Sequence, residues 1–497
     1  MCKLCTTART NNSGSDWTAD DIQKMWEVID KIGKEKYGLN YYEPRLEIIT
    51  YEHMLDIYAS NGLPNLYHHW SFGKRFLQDA ENYKSGRSNL AYEVVINTDP
   101  CVTYLMENNS MTMQTLVMAH AVCGHGSFFK NNYLSLEHTN PQTILGDLLR
   151  GREYILECEK KYGPAKVEAI LDACHALSLY AVDKYPKKKK DRKKVIKNML
   201  ASRKHKDQSF KVEHEYAKQL RKETTSLAKR SRSLNEENIL KFIQKKGPKL
   251  KKWERNIIGI VQELWQYLYP QFHTQLMNEG WASFWHYTIM NDLYDMGHID
   301  EAAMIEFMDT HSAVLYQPGV GEPGYSGLNP YALGFAIWQD IRRICENPTE
   351  EDREWFPDIA GKDWLETVKF AVENFKDESF VLQYLSPKVM RDFKFFSLHD
   401  GGQECVQYEV TAIHDDEGYR EIRRNIAKSK EITYKLPDVV VKGVDIEGER
   451  ELVLEYIPHF KDQLAAAPCT KTLKHIAKLW RFPVHFHCDG ALIKVKP

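Results

Sequence analysis

Apolar residues recur at helical spacing over most of this chain. From about Thr18 to Leu385, successive segments place apolar side chains three or four positions apart, which is the repeat of an amphipathic α-helix. The segment TADDIQKMWEVIDKIGKEKYG begins at Thr18 and has two acidic residues in its first turn, as helix N-termini often do. We therefore predict a large helical body over residues 17–391.

Glycine and proline predict where several of these helices begin and end. PKLKKWERNIIGIVQELWQYLYPQ is expected to end at Pro270, and TQLMNEGWASFWHYTIMNDLYDMG is expected to end at Gly297. The glycine- and proline-rich segment QPGVGEPGYSGLNP then predicts a long loop, and long loops often carry function. Helical spacing resumes with Pro330, which suits the first position of a helix.

The pattern changes after Ser386. FKFFSLHD, QYEVTAIHD, DVVVKGVDIEG and RELVLEYIPH contain β-branched and aromatic residues with an alternating repeat, which indicates strands. Two helical segments lie between and after them, so the predicted order is β-β-α-β-β-α-β. The predicted fold class is therefore mainly α, with a large helical body and a small C-terminal α+β domain over residues 392–497.

The composition predicts a folded protein outside the membrane. Hydrophobic residues make up 43% of the chain and aromatic residues 12%, which suffices for a large core. No apolar run approaches the roughly 20 residues that cross a bilayer, and the first residues have no signal-peptide core, so we expect a cytoplasmic protein. Ten scattered cysteines indicate reduced thiols, and Cys2 and Cys5 lie in a tail, residues 1–16, that we predict to be disordered.

The net charge of −2 conceals a strongly basic stretch. Residues 184–252 contain 25 lysines and arginines against seven acidic residues. Such a stretch suits nucleic acid or an acidic partner, but its basic residues are not interleaved with aromatic ones and no nucleic-acid-binding module is visible. The favoured interpretation is a solvated insertion in the helical body, and nucleic-acid binding ranks last among the functions considered.

The segment VMAHAVCGHGSFFKNN carries two candidate metal ligands, His120 and His125. Five positions on an α-helix rotate by about 140°, because each residue turns about 100°, so a regular helix cannot aim both at one ion. Gly124 permits a helix end or a bulge that brings them together. Imidazoles suit zinc and similar metals, but a third ligand must come from elsewhere.

The best source of that ligand is MNEGWASFWHY. Glu279 and His286 lie seven positions apart and share one helix face. The string resembles the third-ligand helix of gluzincin aminopeptidases, where N-E-G-F-A-S supplies a glutamate to zinc. The resemblance implies a gluzincin-like helix core with ligands His120, His125 and Glu279, and with His286 as a fourth ligand or a group behind the ligands.

The general base of such an enzyme is missing from its usual place. Gluzincins use H-E-x-x-H, whereas Ala121 follows the first histidine here and cannot accept a proton. Glu93 and Glu157, both in an apparently helical context, are candidate substitutes. The alternative is that the histidines and Glu279 form a buried hydrogen-bond network between helices, since buried polar groups must be paired.

Other residues rank lower as site candidates. His68 and His69 either line a pocket or belong to a surface aromatic cluster. His311 ends a helix before the glycine-rich loop, where it either reaches a cleft or favours the helix C-terminus as a cation. Arg342 and Arg343 either bind an anionic ligand or form an ordinary solvated face.

Longer strings carry a stronger resemblance. They are LAYEVVIN, HAVCGHGSFFKNNYL, CHALSLYAVDKY, MNEGWASFWHYTIMNDLYD, YSGLNPYALGFAIWQDIRRICENPTEEDREWFPDIAG and FKDESFVLQYLSPKVMRDF. In this order, from about Trp17 to the C-terminal domain, they resemble the SpoVR family (stage V sporulation protein R-like proteins). Members share the H-x4-H and N-E-G-W-A strings, so the resemblance implies that the alanine at position 121 belongs to the family.

The resemblance implies a role in spore cortex formation in spore formers and in stationary-phase or stress physiology elsewhere. It also implies two partners, a PrkA-type serine kinase and a von Willebrand A-domain protein. Two hypotheses follow. The first is a divalent transition-metal site, with zinc expected, that supports hydrolysis of a peptide or amide bond. The second is a non-catalytic regulator or scaffold that works with the kinase and the von Willebrand A-domain protein.

Overall fold

The structure is a computed structural model that describes most of the chain. The described residues are 16–84, 93–185, 236–319, 322, 325, 327–395, 398–400, 408–410, 415–431, 437–445, 448–457, 466–488 and 491–497. The predicted N-terminal tail lies almost wholly outside them, as does most of the predicted basic insertion. None of the described helices is both long enough and apolar enough to cross a membrane.

The chain forms two compact units. The first comprises Met1–Glu157 and Tyr267–Lys435, and the second comprises Cys158–Gln266 and Leu436–Pro497. The predicted boundary at residue 392 falls inside the first unit, and the predicted domain limits stay a prediction. The predicted fold class is confirmed, because the chain is mainly helical with a small C-terminal α+β part.

Most of the first unit is helical. Its helices are α1 (Ala19–Lys31), α2 (Tyr51–Ala59), α3 (Trp70–Lys84), α4 (Met111–Met118), α5 (Ser127–Asn131), α6 (Tyr133–His138), most of α7 (Ile144–Tyr162), the end of α10 (Lys252–His273), α11 (Gln275–Asp295), α12 (Glu301–Val314), α13 (Pro330–Glu346), α14 (Glu350–Trp355), α15 (Trp364–Asn374), α16 (Asp377–Tyr384), α17 (Pro387–Asp392) and α18 (Asp416–Lys430). Two segments, Ile32–Lys36 and Ala119–Gly126, are π-helices.

The helix ends follow local chemistry. Thr18 caps α1 in a reciprocal capping box with Asp21, as the sequence predicted for this helix start. Gly297 adopts a left-handed φ of 72° just after α11, and Pro330 is the first residue of α13. The predicted end at Pro270 is wrong: α10 continues to His273, with Pro270 inside its last turn.

A three-stranded sheet lies within the first unit. Its strands are β1 (Pro44–Ile49), β2 (Glu93–Ile96) and β3 (Cys101–Met106), in the order β1-β3-β2, with β1 parallel and β2 antiparallel to β3. The helical interpretation of this region is therefore wrong. β3 is buried at every position, and a short run that is buried throughout has no alternation that distinguishes a strand from a buried helix.

The second unit combines helices with a four-stranded sheet. Its described elements are the end of α7, α8 (Pro164–His175), the short 3-10 helix Ser178–Tyr180, α9 (Ile239–Lys246), most of α10, β6 (Asp438–Val444), β7 (Leu452–Ile457), α19 (Ala466–Trp480), β8 (Val484–Cys488) and β9 (Ala491–Val495). The strand order is β6-β7-β8-β9. With the antiparallel pair β4 (Leu398–Asp400) and β5 (Tyr408–Val410) of the first unit, the predicted order is recovered, and β9 is one strand more than predicted.

Close helix packing at α11 organises the core of the first unit. A Cβ added to Gly124 of the second π-helix would lie 2.4 Å from Cα of Ala282, and one added to Gly280 would lie 2.3 Å from the carbonyl carbon of Gly334. Backbones can approach this closely only where side chains are absent. Gly124 thus serves helix contact, whereas the sequence suggested that it serves the local backbone conformation.

Candidate metal centre

The second π-helix, Ala119–Gly126, brings His120 and His125 together. In a π-helix the hydrogen bonds run from residue i to residue i+5, so residues five apart lie on the same side. The two imidazole centroids are 4.7 Å apart, and both rings are buried. The bulge that the sequence left open is therefore confirmed, and the H-x4-H spacing matches this helix type.

Two glutamates face these histidines from other elements. Glu93, at the start of β2, places its Oε1 3.5 Å from Nε2 of His120. Glu279, on α11, places its Oε2 3.5 Å from Nε2 of His125. The ligand atoms of Glu93, His120 and His125 all lie within 4.8 Å of one another, so these three residues form a group that could hold a metal ion.

The spacing of the donor atoms fits a small divalent ion. Zinc binds histidine nitrogen and carboxylate oxygen at about 2.0–2.2 Å, so two ligands at a tetrahedral angle lie roughly 3.4 Å apart. Both carboxylate–imidazole pairs have this separation, which is long for a direct hydrogen bond. In addition, Oε2 of Glu279 is buried and accepts no hydrogen bond, although a buried carboxylate oxygen normally has a partner. The residues therefore fit a bound cation.

Each histidine uses its other ring nitrogen in a hydrogen bond. Nδ1 of His125 lies 2.9 Å from Oδ1 of Asn278, and Nδ1 of His120 lies 2.9 Å from Nδ1 of His286. Nε2 of His286 lies 2.7 Å from Nδ1 of His311. Metal-binding histidines commonly have such partners, which fix the ring orientation and the tautomer.

Burial keeps three of the histidines, His120, His286 and His311, neutral. Burial and the neighbouring imidazoles hold the pKa of His120 and of His286 well below the ordinary value. Burial also lowers the pKa of His311 to about 4. Burial, together with the charge of Glu279, raises the pKa of Glu93 to about 8. A neutral imidazole offers a lone pair to a metal, so His120 is in the right state to bind one.

Backbone and indole contacts fix the start of α11 next to the centre. The carboxylate of Asp377 accepts hydrogen bonds from the backbone N–H groups of Leu276 and Met277, each at 2.9 Å. The indole of Trp338 donates to the carbonyl of Met277 at 3.1 Å. These contacts hold the first turn of the helix that carries Glu279.

The structure gathers some of the predicted residues and separates others. His120, His125 and Glu279 meet at the centre. His286 lies behind His120 with both of its ring nitrogens directed at other histidines, which is the second of the two positions proposed for it. His311, for which the sequence left open a cleft position or a cation at the helix C-terminus, lies next to His286.

Glu93 reaches the centre as well, from a strand where the sequence suggested a helix. Glu157 is exposed on α7. His68 and His69 line a separate cavity of about 480 Å³. Arg343 is paired with Asp340 and Asp352 on α13 and α14, away from the candidate ligands.

Sequence reasoning missed two residues at the centre. Asn278 precedes Glu279 in the N-E-G-W-A string, and its position beside the expected ligand was the available signal. Tyr331 lies just after the glycine-rich loop, and its hydroxyl lies close to the carboxylates of Glu279 and Glu93. Burial and the nearby carboxylates of Glu279 and Glu93 raise its pKa, so the phenol stays protonated and can donate.

Two imidazoles on a π-helix, with glutamates from a strand and a helix, define a mainly helical protein with a buried candidate metal centre. The chain belongs to the SpoVR family: the family described as "SpoVR like protein" matches residues 16–435, and the "SpoVR-like C-terminal domain" matches residues 437–489. A relative from Escherichia coli (strain K12), "Uncharacterized protein YcgB", is 48% identical over 478 residues, which cover 95% of this chain and 92% of that protein. No solved structure matches the chain.

Proposed function

We propose that this protein is a metal-dependent hydrolase of peptide or amide bonds. In this proposal Glu93, His120 and His125 hold a divalent transition metal, and Glu279 is the general base. The observation that carries it is the spacing of the donor atoms, all three of which lie within 4.8 Å of one another. The gluzincin-like string implies that Glu279 is a metal ligand, and the sequence allowed Glu93 as a substitute general base. In this proposal the two glutamates exchange these roles.

The donor set supports this class of chemistry. Two histidines and one carboxylate are the protein ligands of several zinc hydrolases and also of non-haem iron(II) enzymes, and both leave coordination positions open. A second carboxylate beside the ligands favours hydrolysis, because hydrolysis needs a proton acceptor close to the ion. Glu279 is that second carboxylate, and it lies 3.5 Å from a ligand nitrogen of His125.

Glu279 replaces the base that Ala121 cannot supply. Its Oε2 is buried and accepts no hydrogen bond, so a lone pair is available for a proton. Its side chain is 19% exposed and that of Glu93 is 16% exposed, whereas the two histidines are more deeply buried. The carboxylates are therefore the more exposed part of the centre.

The roles of the side chains follow from these positions. A divalent ion held here supplies a Lewis acid and lowers the pKa of water. Glu279 accepts a proton from the attacking water at Oε2 and returns it to the departing amine. The Tyr331 hydroxyl, which lies close to Glu279 and stays protonated, donates to the oxygen of the carbonyl under attack.

Metal analysis of paired variants tests the proposal. The purified protein is incubated with zinc, manganese or iron(II), desalted and measured by elemental mass spectrometry, and hydrolysis is followed with quenched fluorescent peptides. We expect wild-type protein to bind about one ion per chain, Glu93→Gln to lose the ion, and Glu279→Gln to keep the ion but lose hydrolysis. Glu157→Gln, an exposed position on α7, is the matched control and should behave as wild type.

Two results would contradict this assignment. Wild-type protein that stays metal-free with every ion would overturn the proposal. Loss of the ion in Glu279→Gln with retention in Glu93→Gln would reverse the roles of the two glutamates, as the gluzincin-like string implies.

One observation favours a second candidate, a non-catalytic regulator in the cytoplasm. His120, His286 and His311 are already joined by direct hydrogen bonds, so the cluster can also serve as a packing network. In that case the PrkA-type kinase and the von Willebrand A-domain protein are the partners to test by co-purification. Binding of both partners by a metal-free Glu93→Gln variant at wild-type strength would favour this candidate.

A further inference from the structure

Three histidines form a continuous chain behind the candidate metal ligands. His120, on the second π-helix, contacts His286 on α11 through their Nδ1 atoms, and His286 contacts His311 on α12 through its Nε2 atom. The two N···N distances are 2.9 and 2.7 Å, which are direct hydrogen bonds with no space for an intervening group. The exposed fractions of the three residues are only 2–5%.

Metal binding at His120 determines which histidine donates and which accepts in each of these hydrogen bonds. If Nε2 of His120 binds the ion, its proton must lie on Nδ1, which then donates to Nδ1 of His286. His286 must therefore carry its proton on Nε2, and it donates that proton to Nδ1 of His311. Each neutral imidazole has one donor and one acceptor, so only this set of tautomers satisfies both hydrogen bonds while His120 binds metal.

Aromatic rings enclose the far end of the chain. The rings of Tyr287, Phe307 and Phe335 lie 5.0, 5.4 and 5.0 Å from that of His311, centroid to centroid. His311 is therefore held in place by packing and cannot easily turn away from His286. Its Nδ1 is the acceptor on which the Nε2–H of His286 depends.

We propose that His311 is a positioning residue for the metal centre: by accepting the proton of His286, it permits the one set of tautomers in which His120 can bind the ion. The inference rests on the proposed metal site. If residue 311 offers no acceptor, His286 either buries an unpaired N–H or shifts its proton to Nδ1. With its proton on Nδ1, His286 would direct an N–H group at the Nδ1–H of His120. His120 would then have to carry its proton on Nε2, which is the nitrogen that should bind the metal.

Two substitutions at one position separate hydrogen bonding from packing. His311→Leu introduces an apolar side chain of similar size that has no hydrogen-bond acceptor. His311→Gln supplies an amide oxygen that can accept from His286. We expect zinc and cobalt(II) affinity, measured by competition with a chromophoric chelator, to fall 10–100-fold in His311→Leu and to stay within about threefold of wild type in His311→Gln. Phe307→Leu is the packing control, because Phe307 contacts both rings without a hydrogen bond, and it should weaken metal binding less than His311→Leu does.

Nitrogen-15 spectra of the histidine rings provide a readout that a purely structural role would not change. With zinc bound, wild-type protein and His311→Gln should show the proton of His286 on Nε2, and His311→Leu should lose that signal. Circular dichroism and thermal unfolding show whether each variant is folded. If His311→Leu is unfolded, the test is whether the spectra of wild type and His311→Gln place the His286 proton on Nε2.

The outcomes distinguish this inference from the proposed function. Wild-type protein without metal affinity would overturn the metal site itself. A wild-type protein that binds zinc, with a folded His311→Leu variant that binds equally well, would overturn the inference and leave the metal site standing. A wild-type protein that carries the His286 proton on Nδ1 with zinc bound would also overturn it.

Discussion

The hydrogen bond between Asn278 and His125 determines which nitrogen of that histidine faces the centre. The Asn278 side chain accepts from Nδ1–H at 2.9 Å, and this leaves the lone pair of Nε2 directed toward Glu279. A partner of this kind also raises the basicity of the ligand, because it stabilises positive charge on the ring. One amide thus contributes both orientation and affinity to the centre.

Substitutions of Asn278 should change metal affinity according to their acceptor strength. We expect Asn278→Leu to weaken zinc binding 10–100-fold, because no acceptor remains for Nδ1–H of His125. Asn278→Asp, with a stronger acceptor, should bind zinc at least as tightly as wild type. Isothermal titration of the metal-free proteins measures both, and an unchanged affinity in the leucine variant would contradict the role given to Asn278.

At the scale of the elements, the contact between the second π-helix and α11 holds His120 and His125 opposite Glu279. Gly124 and Gly126 lie on the same π-helix but in different surroundings. A Cβ on Gly124 would lie 2.4 Å from Cα of Ala282, whereas one on Gly126 would first meet the carbonyl oxygen of Ala121 at 3.5 Å. The first position cannot accept a methyl group unless the helices move apart, and the second can.

Alanine at these two glycines should therefore have different effects. We expect Gly124→Ala to lower the free energy of unfolding by about 1–3 kcal/mol, the usual cost of overpacking, and to weaken metal binding. Gly126→Ala should change stability by less than about 1 kcal/mol, since alanine favours a helix over glycine and meets no clash. Urea unfolding with parallel metal analysis measures both effects, and equal losses in the two variants would count against the packing argument.

The same two elements explain what could be predicted from the sequence. The strings around His120 and Glu279 identified the histidine pair and its partner helix, because these residues are close in sequence to distinctive neighbours. Whether His125 faced His120 depended on the choice between α and π geometry, and both are compatible with the same letters. Glu93 could be named only as one of two substitutes, because the pairing of β2 with β3 brings it to the centre, and this pairing was not predicted.

At the scale of the whole molecule, the mainly α fold class followed from periodicity, because long helices repeat their apolar positions many times. The sheet of the first unit did not follow, since its strands are four to six residues long. The division into two units could not be predicted either. It falls within α7 and within α10, where the helical pattern continues without a break.

Buried titratable groups link the stability of the molecule to pH. The folded protein lowers the pKa of His311 to about 4, from an ordinary value of 6.5, so the folded state binds this proton less well than the unfolded chain does. The contribution of His311 to the free energy of unfolding is thus fully present above pH 6.5 and is lost as the pH falls toward 4. His120 and His286 act in the same direction, whereas Glu93, whose pKa is raised to about 8, acts in the opposite one.

A comparison of two proteins isolates the contribution of His311. The free energy of unfolding of the metal-free wild type, relative to His311→Gln, should fall as the pH is lowered from 6.5 toward 4, by up to about 1.4 kcal/mol for each pH unit, because glutamine does not titrate. Urea unfolding in chelator at several pH values measures this difference. His53→Gln, at an exposed position, is the control and should follow the wild type. A difference between wild type and His311→Gln that does not change with pH would mean that His311 is protonated as readily in the folded state as in the unfolded chain.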